Sequence, residues 1–211
     1  MTAGSILPDL IRYAGARRTH RHAPWNGADA APHHRDLLAD LAEGVRCHLE
    51  ADAAFHTSRP FVSLMQALTT FTRQEIPLLA DHWTRWLLPH VAAELVLDRL
   101  LVRADPAGAQ ACYDAIRRLH DSDVLPTVCD GYGVDVPVTR ALLDQWVCNR
   151  RLHSYDSFDG LAFAVERALG AFGRPVFAPG ERAAFAALVQ QAELLIGDPR
   201  SLLPTVSGRR R

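Results

Sequence analysis

Cysteine, charge imbalance and long apolar runs are all scarce in this chain of 211 residues, and each scarcity removes a class of protein. The four cysteines, Cys47, Cys112, Cys129 and Cys148, form no CxxC pair and no short spacing, which argues against a zinc knuckle or a thioredoxin-like redox motif. Buried, reduced thiols are the expectation. The formal net charge of -1 at pH 7 supplies no field that would gather nucleic acid or an anionic membrane. Only the ending, Ser207 to Arg211, is basic, and a flexible tail over 205–211 is expected there. No apolar run approaches the roughly 20 residues that cross a bilayer. Met1 to Leu10 also lacks a basic start followed by a long apolar stretch. The expectation is a cytoplasmic protein with no nucleic-acid and no membrane partner. There is no strand-like alternation, and no GxSxG elbow, P-loop or dinucleotide fingerprint, so those chemistries drop out as well.

What is present is helical. Hydrophobic residues make up 48% of the chain against 22% charged, enough to build the core of one domain spanning 1–211. Apolar positions Leu37, Leu38, Leu41, Val45, Leu49 and Phe55 recur every three to four residues and predict one long helix from His34 to about Thr57. A short helix over residues 5–14 precedes it, separated by a loop at about 16–33 that holds Pro24, Gly27 and Pro32. A further helix is expected from Arg59 to Thr72. Pro89 is expected to end one helix near Leu87 and to sit in the first turn of the next, which runs to about Val102. Asp105 and Pro106 read as an N-cap and first-turn proline, opening a helix to about His120; others are predicted over 137–154, 158–172 and 179–196. The fold class is therefore all-α, a single-domain helical bundle.

Two of these helices place ionisable groups among apolar ones. HLEADAAFH puts His48, Asp52 and His56 at four-residue intervals, and HVAAELVLD does the same with His90, Glu94 and Asp98. Residues four apart on a helix stand roughly 6 Å apart at Cβ, close enough to share one ion. Residues eight apart are separated by about 12 Å along the axis, so three groups imply two ions or an incomplete set. A partly exposed face with local hydrogen bonds, or a salt-bridge network, is the alternative. Burial of such groups is tolerable when they are paired or bind a metal, which predicts that the two faces oppose each other. Imidazole and carboxylate without thiolate suit Mn²⁺ or Fe first and Zn²⁺ second, as one or two ions. His20, His22, His33 and His34 fall in the loop and read as surface groups. His120 and Asp121 form the dipeptide that names the HD phosphohydrolases, but at a predicted helix end, where capping is the usual role. Trp83 and Trp86 read as core together with Leu87 and Leu88.

Four stretches, GSILPDL (4–10), HLEAD (48–52), ELVLDRLL (94–101) and NRRLHSYDSFDGLAFAVERAL (149–169), resemble the successive blocks of the acyl carrier protein phosphodiesterase family. That family is distantly related to the metal-dependent HD-domain phosphohydrolases, and the resemblance implies an HD-like helical bundle. It implies metal ligands at His48, Asp52, Glu94 and Asp98 and a metal or catalytic carboxylate at Asp9. Asp9 and Glu94 are the candidate general bases. Arg99 stands where the family has a histidine, and His56 and Ser58 stand where it has an aspartate and a histidine; His90 is positioned to compensate. Arg99, His153 and Tyr155 are the candidates for substrate binding. The implied reaction releases 4′-phosphopantetheine from acyl carrier protein with a manganese-like ion, or cleaves a small phosphodiester. The competing expectations are a di-iron oxygenase, whose ferritin-like form would need Glu-x-x-His pairs absent here while HD-like sites can also hold redox iron, and a helical ligand-binding or interaction module without catalysis.

Overall fold

A computed structural model describes residues 7–14, 23, 25, 32–76, 84–170 and 177–203. Among these residues the chain is all-α, with no strand. The helices are α1 (Leu7–Tyr13), α2 (Pro32–Thr57), α3 (Arg59–Glu75), α4 (Thr84–Ala104), α5 (Pro106–His120), α6 (Leu125–Tyr132), α7 (Val136–Cys148), α8 (Arg151–Ser154), α9 (Phe158–Gly170) and α10 (Pro179–Ile196), followed by a 3₁₀ turn, Pro199–Leu202. No helix among the described residues is long and apolar enough to cross a membrane. Most of the expected loop at 16–33 and the basic tail at 205–211 lie outside the described residues, as does Trp83.

The helices group into two compact units, Met1–Ala53 with Pro106–Arg151, and Ala54–Asp105 with Leu152–Arg211. In the first, α5, α1 and α6 pack on α7. Helix α5 buries Ala109, Cys112, Tyr113, Ile116 and Leu119, a stripe at three- and four-residue spacing, while α2 buries the apolar side chains of Leu38, Leu41 and Val45. Cys112 and Cys129 are buried free thiols as expected, but Cys47 and Cys148 are exposed. Both sit on the outer stripe of their helix, a distinction that spacing between cysteines does not carry.

Helix α6 has no counterpart in the periodicity reading because its eight residues span little more than two turns. Gly133 ends it at φ 66°, where its N–H reaches the carbonyls of Asp130 and Cys129; the left-handed conformation costs glycine little. The predicted helix over 137–154 is in fact two, α7 and α8, because Arg150 takes φ 44° between them.

In the second unit α4 is central and packs against α3, α9 and α10. Its buried stripe is Leu88, Ala92, Ala93, Val96 and Leu97, joined in the core by Leu68, Leu161, Val165, Phe185 and Leu188. Ser58 caps α3 by accepting a hydrogen bond from the Phe61 amide at 3.3 Å. Pro89 does not divide α4 as the sequence suggested; it lies inside one continuous helix. A proline leaves the carbonyl four residues before it without its usual donor and crowds it with its ring. The apolar stripe spanning Leu87 to Leu97, buried against three helices, outweighs that loss.

Candidate metal centre

The last turn of α2 reaches α4. His56 Nε2 lies 3.1 Å from His90 Nε2 and 3.0 Å from Glu94 Oε1, and His90 Nε2 lies 3.1 Å from the same oxygen. His90 and Glu94 project together because they are one helical turn apart on α4. His56 joins them from the residue before the α2 C-terminus, just ahead of the capped start of α3. Among the described residues, this is the set of three His, Cys, Asp or Glu side chains whose ligand atoms come close enough to hold one ion.

Aromatic rings surround the imidazoles. Phe61 meets His56 edge-on with centroids 5.0 Å apart and His90 edge-on at 5.5 Å, and Phe55 packs on Phe61 at 4.3 Å. These contacts constrain ring orientation. The three ligand candidates stay partly open to solvent, since His56, His90 and Glu94 retain 27%, 28% and 38% of side-chain exposure. Burial by itself pushes the Glu94 carboxyl up, but the hydrogen bonds and charges of His90 and His56 outweigh it and hold the carboxyl below its ordinary range.

Hydrogen bonding alone satisfies this triangle poorly. A good hydrogen bond places one proton near the line between two atoms. With both Nε2 atoms protonated, two N–H groups 3.1 Å apart crowd onto one oxygen. With one protonated, its single N–H is shared between the other Nε2 and Glu94 Oε1; with both deprotonated, three acceptor atoms lie together and could hold one ion. Two imidazoles and a carboxylate match the donor preferences of Mn²⁺, Fe²⁺ and Zn²⁺.

The remaining predicted ligands are elsewhere. His48 and Asp9 meet each other in the first unit, with Nε2 and Oδ2 3.8 Å apart. Asp52 is exposed on α2 and Asp98 half-buried on α4, and neither belongs to the three-residue set. Eight residues turn a helix by about 80° beyond two full turns and advance it about 12 Å, so His48 and His56 point to different neighbours.

Arg99 is engaged within the second unit: Nη1 is 3.0 Å from Glu193 Oε1 and Nη2 donates to the Asp156 carbonyl at 2.9 Å. Arg103 Nε donates to Asp156 Oδ1 at 2.6 Å, and this bond with its charge holds the Asp156 carboxyl below the usual range. The two arginines thus tie α4 to α10 and to the turn before α9. Tyr155 is a core residue at 7% exposure, and His153 is half-buried on α8. His120, the last residue of α5, stands between Asp121 Oδ1 at 2.7 Å from Nδ1 and Asp144 Oδ1 at 3.3 Å from Nε2, a helix-end bridge to α7. Trp86 is 56% exposed rather than core, while its neighbours Leu87 and Leu88 are buried as expected. The aromatic wall of Phe55 and Phe61 was not anticipated from the sequence. The only signal was their position flanking His56 on either side of Ser58.

Searches of protein-family models, of curated proteins and of solved structures find no match to this chain.

Proposed function

We propose that this chain is a divalent-metal-dependent hydrolase of phosphodiesters, with His56, His90 and Glu94 holding the ion. The observation behind the reading is the convergence of three ligand atoms within hydrogen-bond distance of one another on a face still open to solvent. The substrate class comes from the resemblance of the four sequence blocks to the acyl carrier protein phosphodiesterases, which also suggests an HD-like bundle. An ion held there would act as a Lewis acid on a phosphoryl oxygen and make water acidic enough to attack at neutral pH.

The chain's own groups have separable tasks. His56 and His90 present Nε2, oriented by Phe61. Glu94 stays ionised and presents Oε1, leaving Oε2 as the oxygen that can take a proton from water, so the general-base role falls to Glu94. Asp9, the other candidate base, is instead beside His48. Arg99 is neutralised by Glu193, so the phosphoryl charge would be met by the ion rather than by a guanidinium.

A second reading has a specific basis: two histidines and one carboxylate are also the ligands of non-haem iron oxygenases. One set of assays separates the two. Untagged protein loaded with Mn²⁺ should cleave bis-p-nitrophenyl phosphate, and holo acyl carrier protein should lose the mass of phosphopantetheine. His56→Ala should abolish both. Metal-loaded protein that leaves diester and carrier intact overturns the hydrolase reading; oxygen consumption by the Fe²⁺ form would then favour the oxygenase. Protein that takes up no divalent ion would favour the non-catalytic binding module.

A further inference from the structure

We infer that His56, His90 and Glu94 form one triangular face of a six-coordinate ion site, leaving the opposite face for the oxygen atoms of an anionic ligand and of water. This rests on the metal-binding reading above and adds the coordination geometry and the ligand class.

Donor atoms about 2.1 Å from an ion lie about 3.0 Å apart at right angles and about 3.4 Å apart at the tetrahedral angle. The three edges here are 3.1, 3.0 and 3.1 Å, the right-angle value on every side. The imidazole rings give a second measure. Their centroids are 4.9 Å apart with planes within 8° of parallel, while the Nε2 atoms are 3.1 Å apart, so the nitrogens are the near ends of the two rings. For rings aimed at one ion, these separations correspond to about 98° and about 95° between the two bonds, both nearer the octahedral than the tetrahedral angle.

Rearrangement toward a tetrahedron is opposed by Phe61, against whose ring both imidazoles pack edge-on. Three mutually adjacent positions then remain on the exposed side. A ligand oxygen and a water on two of them would sit about 3 Å apart, side by side on the ion. A four-coordinate site with these three donors has a single open position and cannot hold both.

Co²⁺ reports the geometry directly, because its visible bands are weak in six-coordinate sites and intense in tetrahedral ones. Titration of metal-stripped, untagged protein with Co²⁺ should bring up a weak band saturating near one equivalent. Dimethyl phosphate at millimolar concentration should shift that band. Glu94→Ala and His56→Ala should lose it while keeping the helical circular dichroism of the parent. An intense tetrahedral band overturns this inference and leaves the metal site standing. A weak band indifferent to dimethyl phosphate overturns the open-face part. No Co²⁺ uptake, measured by calorimetry, overturns the metal-binding reading and this inference with it.

Discussion

Glu94 is the side chain on which the candidate centre turns, since its Oε1 lies within reach of both imidazoles. Its carboxyl is held below the ordinary value of 4.5, so the sign of its contribution follows. A depressed carboxylate stabilises the fold above its unfolded-state pKa and loses that contribution as pH falls through the lower folded value. In chelator-treated protein, urea melts between about pH 3 and pH 7 should show parent more stable than Glu94→Gln at the upper end, with the difference closing below the ordinary carboxylate value. A difference that does not vary with pH would mean that the ionised form contributes nothing. Metal content gives a sharper partition of the predicted ligands. His56→Ala and Glu94→Ala should each remove most of the co-purified divalent ion, whereas His48→Ala and Asp52→Ala should retain it. Loss of metal in the His48 variant would place the centre on the wrong turn of α2.

Among the elements, α9 starts under a close constraint. A Cβ placed on Gly160 would meet the Ser154 carbonyl oxygen at 1.8 Å, and that oxygen belongs to backbone that cannot rotate away. Gly160→Ala should therefore cost about 2–3 kcal/mol, the overpacking range, read as a fall in the thermal midpoint. Gly170→Ala is the matched control at the other end of the same helix, where a Cβ meets nothing within 4 Å; it should be neutral or gain up to about 1 kcal/mol from lowered chain entropy. Equal losses in both variants would show that the packing at Ser154 is not what fixes α9. The turn it protects also holds Asp156, which both Arg99 and Arg103 engage.

For the whole molecule, the consequence of an ion site is a stability that depends on metal. A ligand that binds only the folded chain stabilises it by mass action, about 2.7 kcal/mol at a free concentration 100 times the dissociation constant. For a chain of this length that corresponds to a rise of roughly 5–10 °C in the thermal midpoint. Scanning calorimetry of the parent with and without Mn²⁺ should show such a rise, and His90→Ala should show none. The site belongs entirely to the second unit, which contributes His56, His90, Glu94 and Phe61. A midpoint indifferent to Mn²⁺ in the parent would argue that the three side chains are only hydrogen-bonded.

Periodicity in the sequence was enough to establish an all-α chain and most of its helices. Helices α2, α5 and α10 start and stop within two residues of the predicted limits, because caps and prolines at residues 32, 105, 106 and 179 mark them locally. It was also enough to single out His56, His90 and Glu94, since four-residue spacing on a helix is a local geometric fact. It could not distinguish them from His48, Asp52 and Asp98, which carry the same spacing. That choice required knowing which turn of α2 lies over α4, a matter of long-range packing to which i and i+4 relations are blind. Tertiary structure alone also assigned Arg99 to Glu193, exposed Trp86 and carried α4 through Pro89. In each case the outcome depends on partners distant in sequence, whose burial or pairing outweighs the local preference of the residue itself.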